Sequence, residues 1–414
     1  MLPWEPAFAQ SNAKGGEVRL AETPDSVEYI ELVEPQMVTD SLPKRQATFL
    51  DSMAIVQKLP KWAHEYLNSL VAGNIDRTRE RTIDLSFGLS PSYTREASFG
   101  IGAMCTALYR VDRNDTLSQP SDIFACLNAS LNGFYVLTVK GNNLFPNNRT
   151  RLSYRFNIYR KHLDFWGITS ESSANNPKTT YDRRSINLFI NYVHRLTHRF
   201  YVGGHLLFDY TDARKLHRPD YLMGERPQYY VTGVGVSAEI DSRDKILNPT
   251  QGVYISLTSM FFPKFIGNAP AFFNQHKLVI DAYTRLWKGA VLAGDFYAKI
   301  NSGKTPWTMR EMVAADGIRM RGYYMGSYID NSQIAVQAEL RQHIYKRFGM
   351  TVWTGCATVF SSLRDFRHKE IKPQWLPNVG IGLRYEFKHN VNARIDYGFG
   401  RHTSGLLFAI GEAF

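Results

Sequence analysis

The 414-residue sequence has very few cysteines and no long apolar run. Cys105, Cys126 and Cys356 form no Cys-x-x-Cys pair and no Cys/His cluster, so neither a zinc site nor a redox site is expected. In a hairpin centred between residues 115 and 116, Cys105 and Cys126 would be cross-strand neighbours, and whether they form a disulfide stays open. Because no run of about 18 or more apolar residues occurs, a transmembrane helix is excluded.

The sequence also lacks any concentrated basic block. The formal net charge is +11 at pH 7, but the lysines and arginines are spread along the chain, often at alternate positions. Nucleic-acid binding is therefore not expected. A cationic interior, or contact with anionic lipopolysaccharide, fits this spacing better. No cofactor and no metal site is predicted.

From about residue 77 onward, polar and apolar residues alternate with a period of two, which predicts strands. Residues 151–160, 378–388 and 391–399 show the alternation most clearly. A soluble sandwich or propeller would bury the apolar face, whereas a membrane barrel would turn it to lipid and line its interior with the polar face. Aromatic residues make up 13% of the chain, which suits girdles at two membrane interfaces.

The length and number of the strands favour a membrane barrel. The predicted strands are residues 80–91, 97–111, 120–131, 134–142, 150–162, 180–194, 198–211, 228–241, 251–263, 273–287, 290–302, 331–345, 348–360, 376–389, 391–400 and 404–414. Most exceed the roughly 5–6 residues usual in soluble sheets and match the roughly 9–11 that cross a membrane. An even number allows closure, which satisfies every backbone hydrogen bond in lipid.

The end of the sequence supports the same interpretation. The last predicted strand carries Phe408 and Ile410 on one face and ends at Phe414. A terminal aromatic residue after an alternating strand resembles the C-terminal signal of bacterial outer-membrane proteins. The predicted fold is therefore all-β, a 16-stranded antiparallel transmembrane β-barrel over residues 77–414.

The first 76 residues have a different pattern. Residues 1–9 end in Ala-Phe-Ala and resemble the end of a signal peptide, so a signal-peptide remnant is one interpretation. Residues 10–76 are expected to be a periplasmic linker with two short helices that are separated at Pro60. A cap or plug against the barrel is the favoured role, and a membrane-surface helix is the alternative.

One segment carries a resemblance to a known family. Residues 317–341 read GIRMRGYYMGSYIDNSQIAVQAELR, where Arg321-Gly322-Tyr323 precedes a strand that contains Glu339. This resembles the BamA superfamily (the bacterial surface antigen family), in which an Arg-Gly-aromatic motif lies at the tip of the sixth extracellular loop. The motif here follows the predicted eleventh strand, where loop six begins. The resemblance implies that this loop folds into the barrel.

Two further segments support the resemblance. The segment between predicted strands 8 and 9 resembles the family's turn at that position, through Asp241, Arg243, Asp244 and Gly252. Residues 394–398, Arg-Ile-Asp-Tyr-Gly, together with Phe414 resemble the family's last two strands.

The chemistry of the loop motif can be argued directly. Arginine carries five donors and stays charged, so inside a barrel it needs a carboxylate partner. Glu339 faces inward in its predicted strand and is the expected partner of Arg321, as the family also implies. Gly322 allows a close backbone approach and Tyr323 can pack against the wall. The alternative is an exposed loop with an unpaired arginine.

The sequence departs from the family in two places. Gly355 stands where the family usually has an aspartate in strand 13, and Asp281, Asp295 and Asp396 are the inward-facing candidates to replace it. Residues 10–76 do not show the strand and helix order of a POTRA domain, the periplasmic module of the family, so a POTRA-less member is expected.

The predicted function is that of a BamA-like outer-membrane barrel in protein insertion, translocation or lipid handling. Its expected surroundings are outer-membrane lipids and lipopolysaccharide, with partner proteins or a second copy of the chain. Such a role needs a weak seam between the first and last strands. Glycines that favour a weak seam are Gly398, Gly400, Gly405 and Gly411.

Two other functions stay open at this point. A passive channel with a basic interior is the main alternative. An outer-membrane hydrolase is the second, because His194, His198 and His205 lie near one hairpin, but no serine stands at a persuasive position beside them. The chain is therefore not expected to be an enzyme.

Overall fold

The computed structural model describes residues 78, 81–94, 98–112, 120–245, 248–366, 373–388 and 391–414. The signal-peptide remnant and the helices predicted within residues 1–76 lie outside these residues. Within the described part of the chain, no helix is long and apolar enough to cross a membrane.

Sixteen strands form one antiparallel sheet in which each strand pairs with its neighbour along the chain. They are β1 (Ile83–Thr94), β2 (Ser98–Tyr109), β3 (Ser121–Ser130), β4 (Tyr135–Leu144), β5 (Thr150–Phe165), β6 (Thr179–Arg195), β7 (Phe200–Arg214), β8 (Gln228–Asp241), β9 (Gly252–Phe262), β10 (Phe273–Trp287), β11 (Ala290–Gly303), β14 (Ser332–Tyr345), β15 (Phe348–Phe360), β16 (Leu376–Lys388), β17 (Val391–Gly400) and β18 (Thr403–Ile410). Two short strands, β12 (Glu311–Met312) and β13 (Ile329–Asp330), pair with each other between β11 and β14. A helix, α1 (Ser170–Asn175), follows β5.

Each predicted strand overlaps one strand of this sheet. Short turns join the strands at one edge, as between β10 and β11, and this edge is called the short-turn rim. Long connections lie at the opposite edge, and the longest is residues 304–331, called the long loop. The pair β12–β13 lies in the long loop and was not predicted, because two-residue strands carry no periodic signal.

The two ends of the sheet approach each other. Cα atoms of β1 and β18 come within 8 Å. Among the described residues, however, the hydrogen-bonded ladder does not continue from β18 to β1.

The two faces of the sheet differ in polarity and in exposure. On β16, Val379, Ile381 and Leu383 are each more than half exposed. The side chains between them point to the opposite face, the inner face, where Asn378 and Arg384 are buried. A soluble sheet would bury its apolar face, so this inverted arrangement is the one expected in a membrane.

The positions of the cysteines follow from the register of the β2–β3 hairpin, for which the sequence analysis considered a centre between residues 115 and 116. Gly100 pairs with Ser130, so the hairpin of β2 and β3 is centred on residue 115. Cys105 and Cys126 therefore point to opposite faces, and all three cysteines are free. Small and apolar residues occupy both faces of these strands, so the hydrophobic pattern does not fix their register.

An apolar cluster, called the cap, covers the inner face at the rim of the long connections. It joins residues of β5 to β8 to the long loop around Trp307, which has no exposed surface. The indole Nε1 of Trp307 donates to the Arg226 carbonyl at 2.9 Å. Beside it, Arg310 of the long loop forms an ion pair with Glu225 at 2.5 Å. Burial of this aromatic surface ties the long loop to the preceding connections.

The cap gives a stability prediction. Trp307→Ala is expected to lower the free energy of unfolding by about 3–5 kcal/mol, because it removes a fully buried aromatic side chain. Urea titration of the folded protein in detergent micelles measures this. Trp375→Ala is the matched control, since Trp375 is half exposed, and a change of only about 0.5 kcal/mol is expected there. Equal losses in both variants would contradict a structural role for the cap.

Candidate functional site

A tight turn in the long loop presents Arg321 to the inner face. Met320 and Gly322 both have positive φ angles, 55° and 107°, and the Tyr323 amide donates to the Met320 carbonyl at 3.1 Å. Met320 is itself buried and anchors the start of the turn. A non-glycine residue at Gly322 would be strained, so the glycine of the motif is required by its backbone conformation.

The Arg321 side chain is 1% exposed and is held by three strands. Its Nη2 lies 2.6 Å from Glu339 Oε2 on β14, the residue that the sequence analysis assigned as its partner. Its Nη1 lies 2.9 Å from Asp396 Oδ2 on β17. The guanidinium also stacks over the ring of Trp353 on β15, with 3.7 Å to the ring centroid. A buried guanidinium is tolerated because it is paired and hydrogen-bonded in this way.

Both carboxylates are shared with further arginines. Glu339 also accepts from Arg341 Nε at 2.9 Å, and Asp396 accepts from Arg384 Nη1 at 2.6 Å and from Arg394 Nη1 at 2.9 Å. Neither carboxylate has any exposed surface. The charges are therefore coupled, and the loss of one member leaves the others buried without full compensation.

Asp396 supplies the second carboxylate that the sequence lacks at position 355. Gly355 faces inward between Gln337 and Asn378, and the neighbouring inward position on the same strand is Trp353. Two strands further on, Asp396 reaches Arg321. The second carboxylate partner of Arg321 is therefore on β17 and not on β15.

The other two candidate aspartates lie elsewhere on the inner face. Asp295 on β11 receives two hydrogen bonds from Arg319, Nη2 to Oδ1 at 2.5 Å and Nε to Oδ2 at 2.8 Å. Asp281 lies directly opposite Asp295 on β10. The Arg319 guanidinium also lies over the Tyr297 ring. Arg319 is a second anchor of the long loop that the sequence analysis missed, although its spacing of two from Arg321 was visible.

Glycines of the last strands form a seat for the loop. A Cβ atom at Gly398 would overlap the Arg321 carbonyl, and one at Gly400 would overlap the Tyr323 ring. A Cβ at Gly405 would lie 3.4 Å from the Cα of Gly322. We call Gly398, Gly400 and Gly405 the glycine seat. Because these residues have no side chain, the loop can pack closely against the last strands, which the sequence analysis had not considered.

Hydrogen bonds close the loop onto the same strands. Tyr323 Oη donates to the Pro377 carbonyl at 2.7 Å and accepts from the Arg401 amide at 2.8 Å. Thr403 Oγ1 donates to the Gly322 carbonyl at 3.0 Å. The loop motif is therefore bound to β16 and to the hairpin of β17 and β18.

The predicted motif between strands 8 and 9 lies at the short-turn rim, in the β8–β9 connection. Asp241 accepts from Arg243 Nε and Nη2, both at 3.0 Å. Asp244 accepts from the Thr250 amide at 2.8 Å. Burial tends to raise the pKa of Asp244, but hydrogen bonds from Thr250 and Gln251 outweigh it and hold the pKa below its ordinary value.

Gly252 in the same turn has a φ of 110°, and a Cβ there would overlap the Ser242 carbonyl. The positive φ angle and the close contact at this position explain why the motif has a glycine there. In the predicted C-terminal strand signal, Phe408 is 45% exposed on the apolar face, and the Phe414 carbonyl accepts from Arg341 Nη2 at 2.7 Å. The Ile410 side chain lies outside the described part of the structure.

The buried ion pairs give a second prediction. Arg321→Ala is expected to lower the free energy of unfolding by about 3 kcal/mol, because Glu339 and Asp396 stay buried with one cation fewer. The heat-modifiable band on a gel should also convert at a lower temperature. Arg218→Ala is the control, since its pair with Asp220 is exposed and a much smaller change in stability is expected. Unchanged gel profiles in both Arg321→Ala and Glu339→Ala would refute the anchor.

The glycine seat gives a third prediction. Gly398→Ala is expected to shift the same heat-modifiable transition downward, because its Cβ would overlap backbone atoms that have little freedom to move. Gly294→Ala on β11 is a matched control, since a Cβ there meets nothing within 4 Å. If the two variants convert at the same temperature, the close approach of loop and hairpin is not a constraint.

Comparisons with known proteins bear on the family and the fold of the chain. The Omp85 superfamily domain matches residues 135–414, more than half of the chain. Among solved structures, the chain is similar to BamA from Haemophilus ducreyi lacking POTRA domains 1–3, with a TM-score of 0.52, 11% identity and coverage of 80% of this chain and 70% of that one.

CdiB from Escherichia coli is similar with a TM-score of 0.50 and 11% identity, over 80% of this chain and 62% of that one. At such identities the structural likeness concerns the fold alone. No curated protein sequence matches significantly. The family match, together with the fold, shows that the chain belongs to the Omp85 superfamily of outer-membrane barrels.

Proposed function

We propose that the chain forms a closed sixteen-stranded barrel in the bacterial outer membrane and acts in protein insertion, translocation or lipid handling. The observation that carries this proposal is the long loop, which is bound to the inner face through Arg321 and seated on the glycines of the last hairpin. The proposed barrel spans residues 77–414, with residues 10–76 as a periplasmic segment without a POTRA domain.

The ends of the sheet support an activity at the seam. The edges of β1 and β18 face each other without a ladder in the described residues, although their Cα atoms come within 8 Å. A seam that opened between these two strands would expose edges with which a client strand can pair. This argument does not depend on the terminal glycines, since Gly398 and Gly400 are already required by the loop.

The interior argues against a wide passive pore. At one rim the cap closes over β5 to β8 with the fully buried Trp307 at its centre. Below it, Arg319 and Arg321 bind the long loop to the neighbouring strands β11 and β14, and Arg321 also binds β17. One observation still favours a channel, because Lys277 and Lys299 lie directly opposite each other on the inner face. Lys299 is paired with Glu311 at 2.7 Å, so the attraction for an anion would come chiefly from Lys277.

The hydrolase alternative receives no support from the three histidines. Neither ring nitrogen of His205 has a hydrogen-bond partner among the described residues, and His194 Nδ1 contacts Thr150. No catalytic step is proposed. Partner proteins or a second copy of the chain are proposed to deliver clients in place of POTRA domains, and lipopolysaccharide and phospholipid are the proposed surroundings.

The assembly role is tested by depletion in the native bacterium. Loss of the protein is expected to reduce the amount of at least one other outer-membrane protein or surface lipid, measured by quantitative proteomics and lipid analysis of isolated outer membranes. Re-expression of wild type should restore the level, and Gly398→Ala should restore it less well than Gly294→Ala. Unchanged levels of all outer-membrane proteins and lipids would contradict the role.

Planar-bilayer recordings distinguish the channel alternative from the assembly role. The wild type is expected to show small and irregular conductance because the loop and the cap occupy the interior. Arg321→Ala should raise the conductance by releasing the loop. Large and steady wild-type currents would favour the passive channel instead.

A further inference from the structure

A second feature of the inner face lies at the short-turn rim, away from the loop motif. A cavity of about 490 Å³ opens there between the turns β8–β9, β10–β11 and β14–β15. It is called the rim cavity. Its lining includes Arg341 and Arg384 at its inner end and Arg285, Lys288 and Arg347 nearer the turns.

The inner end of the rim cavity has a buried donor without an acceptor. The Arg341 side chain is 8% exposed. Its Nε donates to Glu339 and its Nη2 to the Phe414 carbonyl, but its Nη1 has no hydrogen-bond partner among the described residues. Nη2 of Arg384, also buried, likewise lacks a hydrogen bond, and its nearest carboxylate oxygen is Glu339 Oε1 at 3.6 Å. Unsatisfied buried donors are costly, so an incoming acceptor would be stabilised there.

The charges around the rim cavity favour an anionic acceptor. Five guanidinium or ammonium groups line it, against two carboxylates, Glu386 and Glu412. Glu412 is already engaged by Arg384 Nε at 3.0 Å and by Asn392 at 2.5 Å. Arg285, Arg341 and Arg384 are also paired with Asp244, Glu339 and Asp396 behind the lining, so the positive charge available to a ligand comes chiefly from Lys288 and Arg347. Positive charge in a concave, partly enclosed site raises the local concentration of anions.

We propose that the rim cavity binds a carboxylate side chain of a polypeptide presented at the short-turn rim. A guanidinium with free N–H groups matches a carboxylate in geometry and charge. A peptide fits better than a lipid headgroup, because the donors without an acceptor, on Arg341 and Arg384, belong to buried side chains of the inner face, whereas the apolar surface for acyl chains lies on the opposite face of the sheet.

This inference does not depend on the assembly role, since it concerns binding alone. It is tested with the full-length protein folded in a zwitterionic detergent. The probe is a fluorescein-labelled hexapeptide with a central glutamate, and its partner has glutamine at that position. Fluorescence anisotropy is expected to show about tenfold tighter binding of the glutamate peptide, with an affinity that falls as salt is added.

Variants at the rim locate the binding. Lys288→Gln and Arg347→Gln lie outside the buried ion-pair network, so both should fold, and each is expected to weaken the glutamate peptide roughly threefold. Lys264→Gln is the matched control, because Lys264 is exposed at the opposite rim, and unchanged binding is expected. Arg341→Gln should abolish the preference for glutamate over glutamine.

Three outcomes would overturn the proposal. The first is equal binding of the two peptides by the wild type. The second is an equal effect of Lys264→Gln and Lys288→Gln, which would indicate general charge attraction. The third is binding of short-chain phosphatidylglycerol, but not of the peptide, in a manner that depends on Lys288, which would make the cavity a lipid headgroup site.

Discussion

A buried guanidinium that is paired with carboxylates from two separate strands is the interaction on which the interior depends. Arg321 loses nearly all its contact with solvent, and this is tolerable because Glu339 and Asp396 meet it at hydrogen-bond distance. The same carboxylates hold arginines of β14, β16 and β17. The arginine of the long loop and the arginines of the strands therefore pair with the same carboxylates. Without the loop, these carboxylates would lose one of their cationic partners.

The inner face changes in character along the strands. At the rim of the long connections it is apolar and closed by aromatic packing around Trp307. At mid-height it is ionic but nearly balanced. At the short-turn rim, five cationic side chains line the rim cavity, and one donor of Arg341 lacks an acceptor among the described residues. Along the strands, the inner face is thus apolar at one rim, ionic at mid-height and lined by cations at the other rim.

Much of the fold follows from the period of the sequence. Alternation predicts every strand of the large sheet, because it shows which side chains meet apolar surroundings and which do not. It also assigns Glu339 to the face that Arg321 reaches. Alternation does not say which of several inward aspartates lies nearest, because that depends on how strands two or more apart are arranged in space. Asp396 therefore emerges only from the structure.

Other features that the sequence analysis did not reveal have the same origin. The seam interpretation of the terminal glycines considered strand strength alone, whereas Gly398 and Gly400 are explained by the close approach of a loop distant in sequence. The sequence does not show that Asp295 is the partner of Arg319, because the pair forms only when the long loop lies against β11. For β2 and β3, where both faces carry small or apolar residues, periodicity left the register undetermined.

The contact between Gly322 and the last hairpin also bears on the order of folding. The bonds that hold the motif to this hairpin and to β16 join residues separated by 54 to 81 positions along the chain. The seat is formed by residues of both β17 and β18, so it is complete only when these two strands have paired. Contacts of such long range carry a large cost in chain entropy. An incomplete C-terminal hairpin would therefore leave the loop motif without its seat and without Asp396, while Glu339 on β14 stayed in place.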